Sequence, residues 1–149
     1  MSRVLRAMAV GLLSACGLSG VTPAPASAAD YPKDAFEVFR FDPDGQGHAY
    51  TGGSITWYNR TANVQGTVVD TANNIGHVTA YFEAYAGSTK IESVTRTANA
   101  ESDLGSPRDF NFTIGDTDLV GGIDRIKVTL CRWDGASKDC AGAENYSKL

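Results

Sequence analysis

Apolar residues recur at every second position along most of this chain. In His77–Tyr85, "HVTAYFEAY", Val78, Ala80, Phe82 and Ala84 face one way while Thr79, Tyr81, Glu83 and Tyr85 face the other. Side chains alternate across a β-strand, so this pattern predicts a strand with one face in a core. "SITWYN" puts Ile55 and Trp57 in phase, and "NVQGTVVD" does the same for Val64, Gly66 and Val68. "DFNFTI" aligns Phe110, Phe112 and Ile114. "IDRIKVTLCRW" aligns Ile126, Val128 and Leu130 opposite Lys127, Thr129, Cys131 and Trp133. "TKIESVTRT" is a weaker run whose Lys90 and Arg96 suit a guarded sheet edge. "AFEVFRF" carries Phe36 and Val38 in one phase and Phe39 and Phe41 in the other, which predicts a bulge or a strand buried on both faces. A last short strand is expected through "CAGAENY".

Turn-forming clusters separate these runs: "DPDGQG", "YTGG", "NRTAN", "TANN", "AGS", "LGSP", "VGG" and "WDG". No segment sustains a helical period. Short strands between such turns predict an all-β fold, a two-sheet antiparallel sandwich of immunoglobulin-like or fibronectin-like type with seven or eight strands. A small closed barrel is the alternative.

The first residues change the picture of where the chain goes. Arg3 and Arg6 precede an apolar run from Ala7, then Pro23 and Pro25, then Ala26-Ser27-Ala28. This has the form of a secretory signal over residues 1–28, followed by one domain over 29–149. "LSAC", ending at Cys16, also has the form of a lipobox, so release and lipid anchoring at the membrane's outer face both stay open. No other stretch is apolar enough for a transmembrane segment. Cleavage leaves 11 basic residues against 17 acidic ones, a net charge of −6. Nucleic acid needs a basic footprint, so no nucleic-acid partner is expected.

After cleavage only Cys131 and Cys140 remain, and an even count in an exported chain reads as one disulfide. It would pin a hairpin tip holding Arg132 and Trp133. Trp133 shares the phase of Cys131 and either packs over the bridge or is presented to a partner. Arg132 in a stiffened loop would suit a trypsin-like pocket, so a secreted protease inhibitor is one alternative. Tyr81 and Tyr85, on the outward phase of their strand, are the other candidate partner-binding residues. Such rings offer large contact area at low entropic cost.

Catalytic chemistry finds little support. His48 and His77 read as surface polar residues, and no nucleophile sits on a defined turn. The acidic pairs Asp42/Asp44, Glu101/Asp103 and Asp116/Asp118 are ordinary turn chemistry. Asp42, Asp44, Asp116 and Asp118 are weak calcium candidates, since calcium takes several carboxylate oxygens from adjacent loops. No other cofactor is expected. A glycosidase pair would need a cleft that so small a sandwich does not imply. Asn59, Asn111 and Asn145 match the glycosylation pattern, by chance in a chain whose signal looks bacterial.

The pattern "VQGTVVD … HVTAYFEAY … IDRIKVTLC" behind an Ala-Pro-rich signal resembles small secreted actinobacterial proteins of Streptomyces type. That resemblance implies export and a compact β domain, and it brings no catalytic residues. Proteins resembling the subtilisin inhibitor carry two disulfides where this chain carries one. The expectation is therefore a secreted, non-enzymatic β-sandwich that binds an extracellular protein or a cell-wall polysaccharide.

Overall fold

The computed structural model describes residues 30–41, 47–71, 76–99, 107–135 and 137–149. The signal segment with Cys16, the acids Asp42, Asp44, Glu101 and Asp103, and most of the turns "DPDGQG", "TANN" and "LGSP" lie outside them, as does the side chain of His48.

Nine strands are present among the described residues: β1 (Lys33–Phe41), β2 (Gly47–Trp57), β3 (Thr61–Asp70), β4 (His77–Ala86), β5 (Thr89–Ala98), β6 (Arg108–Gly115), β7 (Arg125–Trp133), β8 (Lys138–Cys140) and β9 (Glu144–Ser147). They form two antiparallel sheets, ordered β1-β2-β3-β6 and β5-β4-β7-β8, with β9 also on β7. The sheets pack as a sandwich, and no described residue is helical. The expected seven or eight strands become nine because the "CAGAENY" region supplies two. β8 pairs one end of β7 and β9 the other.

The alternation read from the sequence is the alternation of burial. Val78, Ala80, Phe82 and Ala84 are all fully buried, as are Val64, Val68, Ile126, Val128 and Leu130. Phe82 is the centre of the core. Its ring meets Phe36 at 5.8 Å, Phe110 at 5.2 Å and Phe112 at 5.2 Å, so one side chain of the second sheet locks into three of the first. Edge-on aromatic contacts of this kind add to the area they bury. Trp57 closes the far end of the core and donates from Nε1 to Asp34 Oδ2 at 2.6 Å.

Two sequence expectations are corrected. "YTGG" is not a turn but the middle of β2, which runs unbroken through it. Gly53 faces Gly66 across the β2–β3 ladder, in the row Phe36–Gly53–Gly66–Phe110. A Cβ at Gly53 would lie 2.0 Å from the Gln65 carbonyl oxygen, and one at Gly66 2.2 Å from that of Gly52. Glycine is therefore required for close backbone approach, which overrides its preference for turns. The bare row also lets Phe36 and Phe110 reach over it and stack at 6.4 Å.

The second correction concerns "AFEVFRF". Its phase does not slip: Phe36, Val38 and Arg40 point inward, and Phe39 and Phe41 point out. The expected bulge does have a counterpart, a register irregularity two steps later, between Arg40 and Phe41. Arg40 can take a core-facing position because it reaches Asp139 of the other sheet at 2.5 Å. That ion pair ties β1 to β8 at one end of the sandwich.

The free edges are guarded. Tyr146 of β9 accepts from the Glu37 N–H at 3.2 Å and donates to the Glu37 carbonyl at 3.4 Å, occupying the exposed side of β1. On β5, Arg96 lies 4.4 Å over the Phe112 ring of β6. The β4–β5 hairpin turns through Gly87 and Ser88, with Gly87 at φ 58°, the positive value a two-residue hairpin of type II′ needs.

Candidate functional site

The second sheet presents Thr79, Tyr81, Glu83 and Tyr85 of β4 on its outer face, beside the outward residues of β7. His77, Trp133 and Lys138 form one cross-strand row at the end of that face. The His77 ring stacks on Trp133 at 5.8 Å with planes 17° apart. Lys138 Nζ lies 5.2 Å from the Trp133 ring and 4.5 Å from that of Tyr81. The predicted residues Tyr81 and Trp133 are thus brought together, bridged by a cation that the sequence reading did not single out. Both rings are half-buried.

Below that row the Cys131–Cys140 disulfide joins β7 to β8, with the two cysteines directly opposite in register. Cys131 is buried and Cys140 exposed. The tip turns through Asp134–Ser137, where Ser137 Oγ donates to Asp134 Oδ1 at 2.5 Å. This bond lowers the Asp134 carboxyl below its ordinary range.

Tyr85 is not part of the Trp133 cluster. Arg125 covers its ring at 4.1 Å, and its hydroxyl donates to Glu83 at 3.2 Å. Glu83 also takes Lys127 at 2.9 Å and Lys90 at 3.0 Å. The Lys127 bond, more than any other contact, holds Glu83 down at about 2 against burial, which acts the other way. The same bond raises Lys127. This network braces three strands from outside.

Arg132 does not sit in an accessible loop. It is 8 % exposed, on the inward phase of β7, and is paired to Val78 on one side and Asp139 on the other. A protease cleft takes an extended, accessible bond, and the chain at Arg132 is fully committed to the sheet. Asp116 and Asp118 form a local turn in which the Asp118 N–H donates to Asp116 Oδ1 at 2.8 Å. They follow β6 at the end of the sandwich opposite to the one where β1 ends at Phe41. The other two calcium candidates, Asp42 and Asp44, lie outside the described residues. Among the described residues no three His, Cys, Asp or Glu side chains gather as a metal-binding group, and no helix is long and apolar enough to cross a membrane.

The sequence reading missed the outer face of the first sheet. Phe39 is 44 % exposed and Phe41 60 %, with rings stacked at 5.8 Å. Tyr50 of β2 packs on Phe39 at 4.9 Å. The signal was present: unbroken alternation from Phe36 puts Phe39 and Phe41 outside.

Next to these rings lies a shallow hollow of about 580 Å³ lined by Gly52, Gln65, Gly66, Thr67, Asp109, Phe110 and Asn111. A second of about 500 Å³ is lined by Ala35, Phe36, Glu37, Tyr50, Gly53 and Tyr146. Tyr50 lines the second hollow, and its hydroxyl lies 2.0 Å from where a Cβ on Gly52, a residue of the first, would stand. Burial, with the Glu37 carboxylate beside it, raises the Tyr50 phenol, so it keeps its proton and remains a donor.

The fold and these faces define a two-sheet β-sandwich with aromatic outer surfaces. Comparison with known protein families, with curated proteins and with solved structures finds no match to this chain.

Proposed function

We propose that this chain is an exported β-sandwich of immunoglobulin-like or fibronectin-like type that binds a partner outside the cell and carries out no chemistry itself. The topology supports the type. β2-β3-β6 and β5-β4-β7-β8 are joined by connections that cross between sheets after β3, β5 and β6, in the Greek-key manner of such domains. The signal-like N-terminus, the disulfide and the resemblance to small secreted actinobacterial proteins support export. The partner is an envelope polysaccharide or an extracellular protein.

One observation carries the binding role: Phe39 and Phe41 stand exposed and stacked beside a trough, where water gains nothing from them. Exposed clustered aromatics mark contact surfaces. The inhibitor reading loses its bait residue with the burial of Arg132. The test presents immobilised chain, and a Phe39→Ala/Phe41→Ala variant, to cell-wall polymers and to the host's secreted proteins. Retention by the parent and loss by the variant, at unchanged melting temperature, supports the proposal. Equal retention by both, or none by either, overturns it. Intact mass of the host-produced protein reads export in the same preparation. A start at Ala29 or Asp30 indicates release, and acylated Cys16 indicates anchoring.

A further inference from the structure

We infer that the outer face of the first sheet binds a glycan strand bearing free amino groups, laid across β1, β2, β3 and β6. This rests on the reading of the chain as an exported binding protein. The face is ordered in rows by the strand register. Phe39, Tyr50 and Val69 form an apolar row. Glu37, Gly52, Thr67 and Asp109 form the next, and Ala35, Ser54, Gln65 and Asn111 the one beyond. Each row matches one part of a sugar. Aromatic faces receive the apolar C–H face of the ring. Amide and hydroxyl side chains donate to and accept from its hydroxyls. The end of the Tyr50 ring lies over Gly52, where a Cβ would stand, so this aromatic ring forms the floor there and brings its hydroxyl to the trough as a donor. Thr67 Oγ1 in this lining is buried and has no protein hydrogen-bond partner.

Charge selects the amino sugar. Glu37 and Asp109 stand at the two ends of the outward row Glu37–Gly52–Thr67–Asp109, three strand spacings or roughly 14 Å apart. No Lys or Arg lines either hollow among the described residues. Two carboxylates in a trough without countercharge attract ammonium groups and repel anionic polymers. A cationic peptide is the rival. Peptides dock on sheets chiefly by pairing with a free edge, and Tyr146 already occupies the Glu37 N–H and carbonyl on the edge of β1. The outer face presents side chains instead, with hydroxyl, amide and carboxylate groups suited to a ligand rich in hydroxyls.

The test is calorimetry on the purified chain at about pH 6, where amines and carboxylates are both charged. The probes are a glucosamine hexasaccharide, its fully N-acetylated counterpart, a polygalacturonate fragment and hexalysine. The expected result is binding of the glucosamine probe at least tenfold tighter than the N-acetylated one. That binding weakens several-fold as salt rises across the physiological range. Glu37→Gln/Asp109→Asn removes the preference, and Asn111→Ala weakens both sugars, with melting temperature unchanged. Equal affinity for the two sugars, preference for polygalacturonate, or hexalysine binding as tightly as the glucosamine probe overturns the inference. So does sugar binding that survives these variants and is lost in Trp133→Ala. If no sugar binds while Phe39→Ala/Phe41→Ala still abolishes capture of a secreted protein, the glycan inference fails and the binding role stands.

Discussion

Removing the Glu83 carboxylate tests whether the ion network on the second sheet stabilises the sandwich. Glu83 is held at about 2 instead of its ordinary 4.5, chiefly by the Lys127 hydrogen bond. At about 1.4 kcal/mol per pH unit of difference this sets a ceiling of roughly 3 kcal/mol. The carboxylate is 18 % exposed, but Lys90 is 53 % and Lys127 32 % exposed, so solvent screens the pairs. A realistic contribution is about 1–2 kcal/mol. Because folding depresses this acid, the stabilisation is fully present above about pH 4.5 and fades as the pH falls towards 2. Urea unfolding of the parent and of Glu83→Gln, measured from neutral pH downwards, reads the difference directly. Glu83→Gln should be less stable by about 1–2 kcal/mol at neutral pH, with the gap closing between pH 4.5 and 2. A gap that stays constant over that range would falsify the assignment of the stabilisation to the charged carboxylate. No gap at neutral pH would show that screening removes it entirely.

Three further outcomes follow from the fold. Reducing Cys131–Cys140, nine residues apart, should cost roughly 2–3 kcal/mol by chain entropy. Amide exchange should then rise in β8 and the 134–137 tip while the core strands stay protected; global unfolding on mild reduction would contradict a local staple. Gly66→Ala forces a methyl to 2.2 Å from the Gly52 carbonyl oxygen, so thermal denaturation should show a loss of several degrees, whereas Gly142→Ala, with open space around it, should change little. Phe82→Ala should cost about 3–5 kcal/mol in urea unfolding, because three aromatic rings converge on it; a cost under about 1 kcal/mol would mean that the Phe36–Phe110–Phe112 cluster closes over the gap.

Much of the fold was legible because a sheet face in contact with a core must alternate with period two. Val78 to Ala84, Val64 to Val68 and Ile126 to Leu130 reveal their buried faces without any knowledge of what they pack against. The paired cysteines were equally readable, since setting aside the signal-like first residues leaves two thiols with one possible pairing. The sites were less so. Lys138 meets Tyr81 and Trp133 only because the β7–β8 hairpin folds back in a particular register. Glu37 and Asp109 share a row only because β6 returns beside β3.

By itself, then, the chain's order of residues determined an all-β sandwich, the inward phase of its principal strands and the disulfide, all of which depend on local periodicity or simple pairing. Tertiary structure alone decided that "YTGG" runs straight through a strand, that Phe39 and Phe41 face water, and that Arg132 is buried. Each of these depends on a neighbour distant in sequence: Gly66 opposite Gly53, Asp139 reaching Arg40, and β4 and β8 flanking β7. Local propensity at glycine, phenylalanine and arginine is weak beside the steric and electrostatic demands of such neighbours.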